Sequence, residues 1–430
     1  MASKLTKENI LSIVEENNIE FIRLQFVDIL GNLKNVAIPK EQLEKALDNR
    51  IIFDGLSIEG FIREEESDMF LVPDLDSFVI LPFPSHQGNV ARIICDIALP
   101  NKNHFEGDPR YILSKILERA SKEDYTFYVG PECEFFLFNT DENNMPTTIT
   151  YDQASYFDLG HTDLGENARR DMCIALQNMG FKIEATHHEV APSQHEIDFK
   201  YDEALTTADN IVTFKMIVKA IAQRHGLHAS FMPKPVYGIN GSGMHCHMSL
   251  FKEGANLFYN EKDEYKLSKE AYYFIGGLLK HAKAITAIAN PTINSYKRLV
   301  PRFEAPVNIG WSVCAHNPFI RVPSGRGKST RIELRSPDPA CNPYLTIAVC
   351  LAAGLDGIKN QIEPSKHNEV IDQLPTSLES AISFLEHDCV IKEALGQHIY
   401  SNFIKAKKIE CTEYNMQVHP WEINKYLSKY

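Results

Sequence analysis

Apolar positions Ile10, Leu11, Ile13 and Val14 recur at helical spacing between residues 6 and 16, and the alternation of Ile22, Leu24 and Phe26 that follows predicts a strand. Gly31 and Asn32 then read as a hairpin turn. A second helix is expected near Pro39, and residues 70–96 set Pro73, Pro82 and Pro84 between short apolar runs, the pattern of several short strands. The N-terminal part is thus a small α+β unit. The stretch from Pro100 to Pro109, rich in Asn, Gly and Pro, is the expected boundary, dividing the chain into residues 1–103 and 104–430.

Beyond it, longer helices alternate with isolated strands. Asp163 and Glu166 have capping-box spacing for a helix running to Met179 and stopped by Gly180, and a second long helix is expected to end near Gly226. Ser268 is placed to cap a helix continuing to Asn290-Pro291, and the chain from Pro343 through Gly354 to Tyr430 is almost wholly helical in pattern.

Four strand-like segments carry charge on one face. In residues 130–138, Glu132 and Glu134 point one way while Cys133, Phe135 and Leu137 point the other. Residues 187–196 place Glu189 and Glu196 on either side of Pro192, so a strand, a tight turn and a returning strand bring both carboxylates to one place. In residues 244–249, His245, His247 and Ser249 share a face, preceded by Gly238, Gly241 and Gly243, where something approaches the backbone closely. Residues 331–335 set Glu333 between Arg331 and Arg335.

Composition narrows what these strands do. With 430 residues, 44% hydrophobic and 23% charged, the chain is a globular protein with a large core, which excludes disorder, a collagen repeat and a disulfide scaffold. Nine scattered cysteines without a Cys-x-x-Cys pair, and the lack of a signal peptide or of an apolar run near membrane-spanning length, lead us to expect reduced thiols and a cytoplasmic location. A net charge of -13 opposes nucleic acid and anionic lipid, but it also includes the carboxylates just described. Burying five of them without a compensating cation would cost several kcal/mol per ion, so divalent metal is expected. Oxygen ligands with an imidazole suit Mg²⁺ or Mn²⁺, neighbouring arginines suit phosphate or carboxylate, and a two-metal phosphoryl-transfer site follows. Residues 324–330 end like a P-loop, but Val322 stands where its first glycine is required, and residues 238–243 lack dinucleotide-binding spacing.

The ordered set of motifs resembles glutamine synthetase of type I, in its short, non-adenylylated bacterial form. It runs through Phe53-Asp-Gly-Leu-Ser-Ile-Glu-Gly60, Gly130-Pro-Glu-Cys-Glu134, His188-Glu-Val-Ala-Pro192, Asn240-Gly-Ser-Gly-Met-His245, Asn290-Pro-Thr-Ile-Asn-Ser-Tyr-Lys-Arg298, Arg331-Ile-Glu-Leu-Arg335 and His419-Pro-Trp421. The resemblance implies an α+β fold, with a small N-terminal β-grasp domain and a larger catalytic α/β domain whose sheet forms a partial barrel. It implies ATP-dependent ligation of ammonia to L-glutamate through γ-glutamyl phosphate, in a dodecamer of two hexameric rings with shared active sites.

By match, one metal is held by Glu134, Glu189 and Glu196, and a second by Glu132, His245 and Glu333. Arg298 and Arg335 bind glutamate, with Asn240 and Gly241 at its amino end, while Asp54, with Ser57 and Tyr156, takes ammonium and its proton. Glu304 is the flap carboxylate that closes over the intermediate. Glu184, Tyr201, His247, Ser249, Arg321, Lys328 and Arg331 line the nucleotide site, and Arg63 matches an arginine that senses glutamine. In some relatives the C-terminal tail engages nitrogen-responsive transcription regulators. Leu56, Ser193, Arg302 and His316 depart from the family pattern: Ser193 replaces a glycine, Arg302 a small residue, and His316 an arginine that stabilises the transferred phosphoryl group. Imidazole offers fewer donors and no permanent charge, which implies slower turnover unless Arg302 supplies the charge. A γ-glutamyl-amine ligase of the same fold and a weakly active glutamine sensor are the competing readings.

Overall fold

The computed structural model describes residues 5–56, 58, 60, 68–83, 86–313 and 317–430. Helix α1 (Lys7–Glu16) opens as expected, because Thr6 Oγ1 accepts from Asn9 N while Asn9 Oδ1 accepts from Thr6 N. Strands β1 (Ile19–Val27) and β2 (Leu33–Pro39) form the hairpin; a short turn then leads to α2 (Leu43–Leu47), β3 (Ile51–Asp54), β4 (Asp68–Pro73), β5 (Val79–Ile80) and β6 (Asn89–Ala98). The sheet runs β2-β1-β6-β4-β3, with β1 and β6 parallel. Ile22, Leu24, Met69, Leu71, Ile93 and Cys95 form its core. Gly31 turns the hairpin at φ +86°, and a Cβ there would lie 3.0 Å from the Asn342 backbone, so glycine lets the tip dock against the catalytic part.

The second sheet is organised by the 16-residue β7 (Tyr125–Thr140), which follows α3 (Pro109–Ser121). Against it pair β8 (Pro146–Thr150), β10 (Gln194–Phe199), β11 (Asp202–Glu203), β12 (Leu227–Ser230) and β13 (Met244–Lys252); β9 (Ile183–His188) pairs with β10, and β14 (Ala255–Asn256) with β13. Two short strands, β15 (Asn308–Ile309) and β16 (Trp311–Ser312), precede β17 (Ile320–Arg321) and β18 (Ile332–Leu334), and β18 pairs with β13. The main path is therefore β16-β17-β18-β13-β7-β10-β9. Behind it lie α4 (Glu166–Asn178), α5 (Ala204–Arg224), α6 (Lys269–Lys280), α7 (Ala282–Ala289), the short α8 (Ser295–Arg298) and α9 (Pro343–Asn360). Strand β19 (Asp372–Gln373), α10 (Leu378–His387), α11 (Cys389–Asn415) and α12 (Pro420–Tyr426) complete the chain.

Two expected helix boundaries differ. Helix α4 begins at Glu166 with Gly165 as its cap, because Asp163 is buried and engaged 2.8 Å from Arg169 instead of capping. The helix capped by Ser268 is two helices, broken at His281, whose ring nitrogens reach Asp388 at 2.6 Å and Asp356 at 3.0 Å. Gly180 and Gly226 end their helices at positive φ as expected. The two sheets are joined by buried Arg110 on α3, which donates to Asp96 on β6 at 2.7 Å and to Asp209 on α5 at 3.0 Å, while Tyr344 on α9 donates to Asp209 at 2.7 Å.

Candidate active site

Strand register gathers the charged residues. Across β10, β7 and β13, Asp198, Glu132 and His245 stand opposite one another; in the next row Glu196 faces Glu134, and on the far side His247 faces Glu333, which faces Arg321. All three rows therefore converge on the middle of β7, between Gly130 and Glu134.

The hydrogen bonds assign states. Arg331 Nε donates to His247 Nδ1 at 3.1 Å, which leaves His247 Nε2 to donate to Glu132 Oε1 at 2.6 Å. His245 Nδ1 lies 3.3 Å from Glu132 and 3.6 Å from Glu333. Glu333 is fully buried, with Arg321 on one oxygen and Arg335 at 2.5 Å from the other. Glu134 Oε2 accepts from Gly243 N at 2.9 Å and from Gln194 at 2.8 Å. His187 sits between Glu189 and Glu196 at 3.5 and 3.4 Å.

Two electrostatic classes result. Burial would raise Glu132, but hydrogen bonds from His245 and His247 outweigh it and hold the carboxyl below the ordinary range; Glu333 is lowered in the same way, burial being outweighed by His245, His247 and Arg335. Burial and then the Glu134 charge push Glu189 up to about 8, burial and Asp198 drive Glu196 well up, and burial raises Glu134 against the opposing charges of His245 and Arg298.

The structure groups the residues of the two expected ligand sets as follows. Glu132 and Glu333 come together with His247, and Glu196 with His187 and Asp198, each group offering ligand atoms within 4.8 Å of one another, while His245 also reaches both Glu132 and Glu333. Glu134 and Glu189 stand outside these tight groups but within the same electrostatic neighbourhood. Sequence reasoning missed Asp198, whose carboxyl burial and Glu132 push up to about 7. The signal was present, since it follows Glu196 by two on the same strand face.

On the opposite flank, Arg298 is buried and braced by donating to the carbonyls of Ser336 at 2.7 Å and Arg335 at 3.1 Å. Asn240 Nδ2 donates to Glu304 at 3.0 Å, and a Cβ on Gly241 would lie 2.1 Å from the Pro233 carbonyl, so this turn admits no side chain there. Lys234, also missed, lies over the Phe303 ring, with burial and Arg298 lowering it to about 8. Tyr156 stacks on Phe157 and meets His187 edge-on, facing Glu189 and Glu196. Asp54 ends β3 in the other sheet and accepts from Leu56 N at 2.9 Å; among the described residues no hydrogen bond or ion pair joins it to the cluster. Ser57, Arg63 and His316 lie outside the described residues.

Beside Glu132 opens a cavity of about 400 Å³. Glu184, Tyr201, His247, Ser249, Lys328 and Arg331 line it, six of the seven residues expected together, whereas Arg321 is turned to Glu333. Asn256 holds the segment carrying Lys328 by donating to the Lys328 and Thr330 carbonyls at 3.0 and 2.7 Å.

Comparison with known proteins decides the family. The profile described as glutamine synthetase, catalytic domain, matches residues 106–426, and that of the glutamine synthetase beta-Grasp domain matches residues 18–100. The chain belongs to the glutamine synthetase family. It is 58% identical to a glutamine synthetase of Clostridium saccharobutylicum over the whole of both chains, and 54% identical to that of Thermus thermophilus over 99% of each. Among solved structures, a Plasmodium falciparum glutamine synthetase superposes with a TM-score of 0.90 at 28% identity over 98% of this chain and 99% of that one. A GmaS complex with ADP gives 0.89 at 33% identity over 97% and 99%. The expected β-grasp domain and half-barrel catalytic sheet stand, and the activity is glutamate–ammonia ligation giving glutamine.

Glutamine synthetases use ATP and divalent metal, and the residues here fit such ions: His245 Nε2 is buried and has no hydrogen-bond partner among the described residues, and burial raises three neighbouring carboxyls, with like charge adding to it at Glu189 and Glu196, as expected where a cation is needed. Two departures from the glutamine synthetase pattern fall where the backbone is left-handed. Ser193 and Arg302 both have left-handed backbone, at φ +61° and +81°, where glycine is favoured. Ser193 offsets this by accepting from Tyr151 N at 2.6 Å and Asp152 N at 2.9 Å through its hydroxyl.

Proposed function

We propose that Glu134, Glu189 and Glu196 hold one Mg²⁺ or Mn²⁺ ion and that Glu132, His245 and Glu333 hold a second. The observation that carries this is the convergence of Glu132, Glu134, Glu196, His245 and Glu333 through strand register about β7, with Glu189, just beyond β9, sharing His187 with Glu196. Bound there, the ions would supply the positive charge that phosphoryl oxygens need during transfer. The γ-carboxylate of glutamate is a poor electrophile, so its activation as γ-glutamyl phosphate precedes attack by ammonia. Arg298 and Arg335 bind the glutamate carboxylates, supported by the rigid bracing of Arg298. Asn240 and Gly241 meet its amino end, and the six residues lining the cavity beside Glu132 receive ATP.

Glu304 closes over the intermediate, supported by its bond to Asn240, and excludes water. Asp54, with Ser57, binds ammonium opposite Tyr156 and accepts its proton. Its position in the N-terminal sheet, unjoined to the cluster, supports delivery from a neighbouring subunit in a cytoplasmic dodecamer of two hexameric rings. A domain division at residues 103 and 104 is supported by β6 ending at Ala98 and α3 beginning at Pro109.

The test is ADP release by the purified protein with Mg²⁺, ATP and L-glutamate, with and without ammonium, while glutamine is followed in parallel. Ammonium-dependent ADP matched by glutamine, and lost in Glu333→Gln, supports these assignments. Full activity in that variant refutes the placement of the second ion. Turnover restored only by an organic amine would assign the site to amine ligation.

A further inference from the structure

A second cavity, of about 520 Å³, lies on the side of the molecule where the β1–β2 hairpin tip meets the catalytic part. Its walls include Asn32 at that tip, Lys215 and Lys219 on α5, Pro233 after β12, and Asn294 before α8. Among the described residues no carboxylate lines it. Lys407, at its edge, is paired with Glu410 at 2.8 Å, but among the described residues the two α5 lysines have no acidic partner. Lys215 donates to the Cys341 carbonyl at 3.3 Å, and the Lys219 ammonium lies 5.7 Å from the centre of the Phe231 ring. Like charges four residues apart on a helix repel each other, and here they do so at a cavity that offers them no counter-charge. Such an arrangement is relieved by an anion that carries two charges.

The cavity also shares a wall with the glutamate side. The Pro233 carbonyl accepts from Ser242 N at 2.9 Å, in the segment leading to His245. Asn294 holds Lys234 from both sides, accepting from its N–H at 2.7 Å and donating to its carbonyl at 3.0 Å. The same Asn294 immediately precedes the helix that ends at Arg298.

We propose that this cavity binds a small organic dianion between Lys215 and Lys219, and that occupancy alters the affinity for glutamate through Pro233 and Asn294. Two sources share this chemistry, a dicarboxylate and a phosphate monoester. Titration calorimetry of the full-length enzyme with succinate, and separately with glycerol 3-phosphate, tests binding, and which of them binds identifies the source. Mg²⁺, ADP and saturating L-glutamate are present throughout, so that the catalytic site is occupied without turning over. The expected result is one site per subunit, weakened about tenfold in Lys219→Ala and in Lys215→Ala, the loss of one charge-assisted hydrogen bond each, and retained in Lys219→Arg. The binding anion shifts the KM for glutamate of the parent enzyme, but not that of Lys219→Ala, whose kcat without effector is unchanged. Absence of heat with both titrants, binding undiminished in both alanine variants, or disassembly of the oligomer in those variants would overturn the site. An unmoved KM with intact binding would overturn the coupling. Failure of the ligase assignments would abolish turnover without touching the calorimetric result.

Discussion

Adding Mg²⁺ to the metal-free protein at about pH 7 should expel protons. Glu189 has its pKa pushed up to about 8 by burial and by Glu134, and Glu196 is driven well up by burial and Asp198. A carboxyl with a pKa of about 8 is about nine-tenths protonated at about pH 7, and it must lose that proton to ligate a metal. Glu189 alone accounts for the release of about one proton, with more from Glu196. The sign for affinity is positive: Glu189 alone makes apparent metal affinity rise about tenfold per pH unit from about pH 6 to 8, and Glu196 steepens the rise.

The sign for stability is opposite. A carboxyl whose folded pKa exceeds its unfolded value of 4.5 contributes stability that is fully present below the unfolded pKa and is lost as pH rises through about 8. From about pH 5 to about pH 8 this loss is about 4 kcal/mol for Glu189 at most, and bound Mg²⁺ abolishes it. Calorimetric titration of Mg²⁺ in buffers of different ionisation enthalpy counts the protons, and thermal unfolding of the metal-free protein follows the stability. Heats independent of buffer near neutral pH would mean that these carboxyls are already ionised, and the assignment of the cluster to a cation-requiring site would be wrong.

Other residues give independent tests. Ser193→Gly relieves a left-handed backbone but leaves the Tyr151 and Asp152 N–H groups without their acceptor, so it should lower stability by about 1–2 kcal/mol and raise the Mg²⁺ concentration for half-activation; a melting curve and a metal titration measure both. Arg110→Ala leaves Asp209, Asp96 and Asp74 facing one another without their cation, and a loss of about 3–5 kcal/mol should appear in urea unfolding. Arg331→Ala frees His247 Nδ1 and removes a cation from the cavity beside Glu132, so steady-state kinetics should show the KM for ATP rising about tenfold or more, with the KM for glutamate little changed.

Local geometry was legible in the sequence because it depends on neighbours in the chain. Alternation alone places Glu132 with Glu134 and His245 with His247 on common faces, and Pro192 requires a turn between Glu189 and Glu196. The five clustered acids and their resemblance to glutamine synthetase motifs followed from the same segments. Register between strands is a long-range property, and it decided which residues meet. It set Glu132 opposite Asp198 as well as His245, turned Arg321 toward Glu333, and left Arg331 to fix the His247 tautomer.

Tertiary packing also overrode two local signals. Asp163 has the spacing of a cap but is buried beside Arg169, where an unpaired charge would cost more than a missing cap, and His281 breaks a continuous helical pattern because Asp356 and Asp388 converge on its ring. The cavity holding Lys215 and Lys219 has no sequence signature, since its walls come from the hairpin tip, α5 and the segments around Pro233 and Asn294. Such a void exists only once those distant pieces have packed.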